Sequence, residues 1–453
     1  MRIRPLILAA ALSGALAAPT AARASDSAAG QAAIADQVVV SYDATADEAQ
    51  KASAQESTDT TPVGTLADGA QVLKIKGGRS VSSTIGELRK KPGVRYAVPN
   101  FRMHAAALPA PWFPDDPGHG GPGDWRKLQW NFAGPFGINA PEAWSIARRD
   151  GVAGGRGVTI AVIDSGIAYR RWGRFRRAPD LPRHGWVDPY DFIRHNKYPL
   201  DEDGHGTHVT GTIVQRTNNG HGLTGLAYKA RIMPLRVLDA NGNGDGATFA
   251  KAIRFAVNHH AQVINMSVEF DTTLHAADIP EVISAINYAH KHGVIMVGAA
   301  GNDSEDHIAY PARDRYVIAV GASTANGCLA EYSNDGSGLD VVAPGGGDDS
   351  ELTDNAWDIA HCNPNKPTRD IYQQTFTHGV THFGLEGFEG TSESTPHVTA
   401  IAALILATGV IGKHPTPDAV QSRIEATATD MGAPGPDSRY GAGLANAAAA
   451  ITP

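Results

Sequence analysis

Four short stretches of this chain carry side chains able to attack a carbonyl carbon or to move a proton. The stretch EGTSESTPHV, Glu389 to Val398, puts four hydroxyls and a histidine into ten residues. Ser392 follows Gly390-Thr391 and precedes an apolar run. That pattern places it at a helix N-terminus, where unpaired N–H groups stabilise a developing anion. A plain N-capped helix has the same signature. His397 lies five residues on, and five helical residues turn its side chain away from the face of Ser392, which excludes it as that serine's base. Ser394 and Thr395 read as first-turn hydroxyls ahead of Pro396.

The stretch DEDGHGTHVTG, Asp201 to Gly211, enters a helix with His205 and His208 three apart on one face. Imidazoles beside carboxylates admit a metal, yet H-E-x-x-H is absent and zinc would need a further ligand that this segment does not designate. A histidine acting as general base near neutral pH is the other reading. The apolar run Val158 to Ile163 ends in Asp164, Ser165 and Gly166, which describes either a fixed, half-buried acceptor or an Asx turn at a strand end. The run Val294 to Val297 leads through small residues to Asn302, whose amide can donate to an oxyanion. Together a carboxylate, a histidine, an amide donor and a serine, each on a separate turn or helix start, match the nucleophile, base, orienter and oxyanion-hole logic of acyl transfer.

These residues need a scaffold that brings strand ends together. Short apolar runs at Val158 to Ile163, Ile232 to Leu238, Val263 to Met266, Val294 to Val297, Val317 to Val320 and Leu339 to Val342 alternate with helix-compatible segments such as Thr248 to Asn258 and Ile279 to Lys291. The expected fold is α/β: a mostly parallel, doubly wound sheet with helices on both faces, its active site at the carboxyl ends of the strands. Before it, from Ser25 to about Ala107, three β-like runs (Val38 to Tyr42, Val72 to Ile75, Val94 to Val98) alternate with Ala46 to Ser53 and Ser80 to Lys90, a small α+β module. The Pro/Gly-rich stretch 108–124 between them reads as an exposed linker open to proteolysis.

Residues 1–24 have the form of an export signal: Arg2 and Arg4, the apolar run Leu6 to Ala18, then Ala22-Arg23-Ala24. Export to the periplasm or the cell exterior is therefore expected, with the mature chain starting near Ser25. The run Val398 to Ile411 is 14 residues, the length of a core helix rather than a span, so no stable membrane insertion is expected. In an oxidising compartment Cys328 and Cys362, the two cysteines, allow one bridge, or remain separate thiols. A formal net charge of -8 argues against a nucleic-acid partner.

The order Asp, His, Ser with these surroundings resembles the subtilisin-like serine proteases, the subtilases. The motifs are V-I-D-S-G-I around Asp164, D-G-H-G-T-H-V-T-G-T around His205, A-A-G-N around Asn302 and G-T-S-E-S-T-P-H-V around Ser392, and the likeness covers about Trp125 to Pro453. It implies that Ser392 attacks the scissile carbonyl, His205 takes and returns its proton, and Asp164 holds the imidazole tautomer. It further implies an oxyanion hole of Asn302 and the Ser392 N–H, and a substrate strand at Ser267, Val268 and Glu269 facing Gly301. The N-terminal module (25–107) resembles the family's inhibitory prodomain, an intramolecular inhibitor whose tail, Phe101 to about Pro111, would lie in the cleft until self-cleavage. The catalytic domain would be 125–453, acting on protein or peptide substrates as a monomer.

No cofactor is needed for that chemistry. A structural calcium is possible for the family, and Asp180 and Asn219 match segments that supply its ligands; an ordinary Asn-Gly turn is the competing reading. Four features depart from the family pattern. Glu269 stands where glycines usually follow the serine, which suggests attraction of a basic substrate side chain. Glu393 follows the nucleophile where Met is common, and reads as a first-turn acid favoured by the helix dipole. The basic insertion Tyr169 to Arg177 could meet an anionic surface or form a solvated loop, and the long segment Gly347 to Phe388 would be pinned by a Cys328–Cys362 bridge. A peptide-binding pseudoprotease and a peptide ligase are the alternatives. An α/β-hydrolase esterase does not fit, because Gly390 to Ser394 is not G-x-S-x-G.

Overall fold

Val38 and Val40 are fully buried and Val39 between them is half-buried, the period of a strand with one covered face. In the computed structural model, which describes residues 33–101 and 109–453, that strand is part of an N-terminal unit ending at Ala107, with a second unit from Leu108 onward. The expected export signal lies outside the described residues.

The N-terminal unit runs β1 (Ala33–Tyr42), α1 (Glu48–Ser57), β2 (Thr60–Thr65), β3 (Gln71–Ile75), α2 (Val81–Leu88) and β4 (Val94–Phe101). Its antiparallel sheet has the order β2-β3-β1-β4, and Val38, Val40, Leu73 and Ala97 pack against Ala54 of α1 and Ile85 and Leu88 of α2. Asp47 and Gln50 form a capping box that starts α1. Strand β2 was not expected. It carries Pro62 and Gly64 and a register shift between them, features confined to edges and bulges.

The second unit runs α3 (Ala140–Arg149), β5 (Thr159–Asp164), β6 (Tyr190–Asp191), α4 (His205–Val214), β7 (Arg231–Arg236), α5 (Gly246–Asn258), β8 (Val263–Met266), α6 (Pro280–Lys291), β9 (Ile295–Ala299), β10 (Ile318–Ser323), β11 (Val341–Pro344), α7 (Ala356–His361), β12 (Ile371–Thr375), β13 (Gly384–Phe388), α8 (Thr391–Thr408), α9 (Pro417–Ala426) and α10 (Ala447–Ile451). Seven strands form a parallel sheet in the order β11-β10-β9-β8-β5-β7-β6. Every residue of β5 is buried because the sheet is covered on both faces. Ile160 and Val162 face α3, α4 and α8, and Ala161 and Ile163 face α5 and α6. The doubly wound α/β class is thus the observed one. The chain passes from β5 to β6 and β7 on one side and returns to β8 on the other, so the carboxyl ends of β5 and β8 flank a topological switch point.

The Pro/Gly-rich stretch is not a free linker. From Pro109 it folds on the second unit: Ser145 Oγ donates to the Ala110 carbonyl, Trp112 N to Pro141 O and the Trp125 indole to Pro114 O at 3.0 Å. Asp116 is fully buried there, accepting from the main-chain N–H groups of Asn218 and Asn219. The long segment before Ser392 also has structure. It holds α7, bridged to the body by Cys328–Cys362 with Cα atoms 5.0 Å apart, and the hairpin β12-β13. That hairpin packs on α4, with Thr375 Oγ1 donating to Gly204 O and His208 Nε2 to Ile371 O. Among the described residues no helix is long and apolar enough to cross a membrane.

Candidate active site

The apolar run of β5 ends with a carboxylate where the sheet ends. Asp164 is buried, not half-buried as expected. Its Oδ1 accepts from Ser165 N at 2.6 Å and from His205 Nδ1 at 2.8 Å. A carboxylate accepts only, so Nδ1 carries the imidazole proton and Nε2 is left to receive another. Burial opposes a positive charge on His205, but Asp164 beside it outweighs that and raises the histidine above its ordinary value.

His205 opens α4, and Asp201 builds the turn before it. Asp201 Oδ1 accepts from Gly204 N, Asp203 N and Ser165 Oγ, and Oδ2 from Thr207 N and Oγ1. Gly204 has φ +117°, and a side chain there would strike the Phe376 carbonyl. His205 and His208 do not converge on one ligand position. His208 is buried, with Nε2 on Ile371 O at 2.9 Å, which removes the metal reading of that pair.

Ser392 stands in the first turn of α8, whose leading N–H groups lack intrahelical partners. Its hydroxyl donates to Ser267 O at 3.4 Å. Ser392 and His205 line a cleft of about 470 Å³ together with Ser267, Val268, Glu269 and Phe270. They also line a second hollow of about 570 Å³ with Asn302, Asp370 and Glu389. His397 is buried with both ring nitrogens engaged, by Asn131 and by the Glu393 carbonyl. Burial drives its pKa down to about 4.

Asn302 is oriented by its own oxygen. Oδ1 accepts from Thr391 N at 2.8 Å and Thr391 Oγ1 at 3.0 Å, which leaves the NH2 group directed to the cleft, 3.4 Å from Glu269 Oε1. Ser267 reaches the site but its hydroxyl donates to Ser392 O at 2.8 Å. Glu269 lies against both Asn302 and Gly301, its carboxyl raised by burial and by Asp303. Asp203, Asp245 and Glu269 line the 470 Å³ cleft, and among the described residues no lysine or arginine does.

Asp180 and Asn219 meet away from this cleft. Asp180 is fully buried, accepts from Asn219 Nδ2 at 2.7 Å and Gln215 Nε2 at 2.8 Å, and burial pushes its carboxyl up to about 6. Asn219 Oδ1 is buried without a partner, and the Asn219 N–H bonds Asp116. Among the described residues neither carboxylate pairs with lysine or arginine. Two buried carboxylates and an orphaned amide oxygen are a donor set suited to a hard, oxygen-ligated cation. Asp116 was missed because it stands in a stretch that reads as linker.

The basic insertion leaves Arg170, Arg171 and Arg174 exposed, but most of its cations have partners on the protein itself. Arg174 pairs with Glu202, as do Arg194 and the buried Arg236; Arg176 and Arg177 donate to nearby carbonyls. Trp172 stacks on Tyr198 at 4.2 Å with Arg170 over both rings.

Two sequence profiles match: that of the Subtilase family over residues 155–443 and that of the Fervidolysin N-terminal prodomain over 19–100. Relatives include a thermophilic serine proteinase of Bacillus sp. (strain AK1), 33% identical over 82% of this chain and 75% of its own. Another is Subtilisin Savinase of Lederbergia lenta, 34% identical over 70% of this chain and 98% of its own. Among solved structures, a protease of Pseudoalteromonas arctica PAMC 21717 superposes with a TM-score of 0.58 at 29% identity, covering 75% of this chain and 98% of that one. A buried carboxylate on a histidine at the switch point, a helix-start serine in the same cleft and a matched profile over most of that fold make this chain a serine peptidase of the subtilase family, with a prodomain ahead of its catalytic unit.

Proposed function

We propose that this chain is an exported serine endopeptidase that releases itself from its prodomain. The observation that carries the reading is the Asp164–His205 contact beside a cleft shared with Ser392. Ser392 attacks the scissile carbonyl and His205 Nε2 takes its proton. Asp164 steadies the imidazolium that forms, and His205 then protonates the leaving amine. The oxyanion is held by the Ser392 N–H and Asn302 Nδ2. Loss of one such donor costs on the order of 10² to 10³ in turnover, a size established on the equivalent amide of a subtilisin.

Residues 1–24 direct export, and 25–107 form the inhibitor. Since Ala110 and Trp112 are tied to the second unit, the bond broken on activation lies before Pro109. Intact-mass analysis of Ser25–Pro453 beside its Ser392→Ala form tests this. Only the wild type should shed a fragment ending between Phe101 and Pro109; two full-length proteins would remove the reading.

Glu269 sets the preference of the non-prime side. A basic substrate side chain takes its carboxylate and frees Asn302 for the oxyanion. A charge-assisted hydrogen bond of about 1.5–3 kcal/mol makes Glu269→Gln lower the Lys/Arg to Leu/Phe cleavage ratio by roughly 10- to 100-fold. An unchanged ratio would end the assignment.

Asp116, Asp180 and Asn219 would hold a structural calcium, which takes no part in the chemistry and braces the loop after α4. On inactive Ser392→Ala protein, chelation should lower the thermal midpoint by about 5 °C, as expected for a ligand at about a hundred times its Kd. Asp116→Asn/Asp180→Asn should abolish that calcium dependence, and a calcium effect surviving in the double variant would place the ion elsewhere.

A further inference from the structure

Resting on the function just proposed, we propose that Glu393 is a positioning residue which acts as a neutral carboxylic acid, donates its proton to His208, and curbs acylation by Ser392 when it ionises. Glu393 is the first-turn acid expected of it, but it is enclosed, only 2% exposed. Its Oε1 lies 3.5 Å from His208 Nδ1, and neither atom has a hydrogen-bond partner among the described residues. Its Oε2 occupies the space left by Gly390, where an added Cβ would stand 2.6 Å away.

The state of His208 decides the state of Glu393. Because the Ile371 carbonyl can only accept, His208 carries its proton on Nε2, 2.9 Å from that oxygen. The ring is fully buried, stacked on Phe388 at 4.4 Å, and burial drives its pKa down to about 3. His208 therefore presents a lone pair at Nδ1. An ionised Glu393 would set an anion against that lone pair in a dry site, whereas the neutral acid supplies O–H to N across a long, weak contact.

The charged surroundings agree. Facing Glu393 are His205 at the start of α4, Asp164 at the end of β5, Glu389 just before α8, and Tyr332. His397, one turn on, donates to the Glu393 main chain. Among the described residues no lysine or arginine pairs with it. Burial raises Glu393 most, His205 works the other way, and Asp164 and Glu389 add to the rise, bringing it to about 7.

Below that value the proton is present and the site gains no charge. Above it an anion appears one residue from the nucleophile. It tightens the proton on His205, whose positive form Glu393 already favours, and it repels the oxyanion forming at the Ser392 N–H. Both effects oppose acylation. The folded protein also holds this proton more tightly than the unfolded chain. The stability it gives is therefore lost as pH rises from the ordinary glutamate value of 4.5 to about 7, and is constant beyond.

The test compares processed wild type with Glu393→Gln, whose amide donates to His208 but cannot ionise, and with Glu393→Met, which offers no proton at all. Between pH 5 and 10 one measures kcat/KM on a peptide substrate and the rate at which a fluorophosphonate labels Ser392. The ratio of activity at pH 9 to that at pH 6 should be higher by about tenfold in both variants, the effect of moving a neighbouring group by one pKa unit. The stability gap between Glu393→Gln and wild type should open between pH 4.5 and 7. Parallel pH profiles in all three proteins would overturn the role of Glu393 alone. Absence of labelling in all three at every pH would overturn the peptidase reading beneath it.

Discussion

The hydrogen bond from His205 Nδ1 to Asp164 Oδ1 is the contact on which the rest of the site depends. Asp164 is buried at the end of a strand covered on both faces, where an unpartnered carboxylate is costly. The imidazole meets part of that need, and in return has one tautomer and one orientation. Much of the surrounding structure serves to hold the two in register. Asp201 gathers five hydrogen-bond donors to shape the turn before His205, and Glu202 anchors Arg174, Arg194 and Arg236 behind it. The basic insertion thus ties to the histidine loop through Arg174, while Arg176 and Arg177 bond main-chain carbonyls and Arg170 and Arg171 stay exposed.

A second constraint is the burial of the nucleophile's helix. Helix α8 carries five hydroxyls and a histidine in its first nine residues, from Thr391 to Thr399, and hydroxyls in a core require partners. Thr391 bonds Asn302, Ser394 the Ala343 carbonyl, Thr395 the Thr391 carbonyl and Thr399 the Asn265 side chain. These bonds register the helix against β8, β9 and β11 and set the direction of the Asn302 amide. The extra hairpin β12-β13 joins the same assembly through His208, so the segment beyond the compact family pattern braces the catalytic helices.

What could be read from the sequence were the features set by neighbours along the chain. The unbroken run ending at Asp164, the strand Val263–Met266 and the periodic helices α5 and α6 declare themselves by apolar pattern and length. Features decided by distant partners did not. Strand β12 holds buried Gln373, Gln374 and Thr375, a polar run that becomes a strand because β13 pairs with it and Thr224, Asp180, Gln215 and Gly204 supply its other partners. Asp116 sits among prolines and glycines, and its burial follows from main-chain donors about a hundred residues away. The first-turn place of Glu393 was legible but its enclosure was not, because nothing near it in sequence reveals that His208 and Gly390 surround it.

On the proposed mechanism Asp164, His205 and Ser392 act as one unit. The most direct measurement is the rate and position of fluorophosphonate labelling in the wild type and in Asp164→Asn, with the adduct placed by peptide mass mapping. A single adduct on Ser392 is expected, with a rate at least about a hundredfold slower in Asp164→Asn, whose amide would hold the imidazole in the wrong tautomer. An adduct on Thr391 or Ser394, or a rate that Asp164→Asn leaves intact, would contradict it.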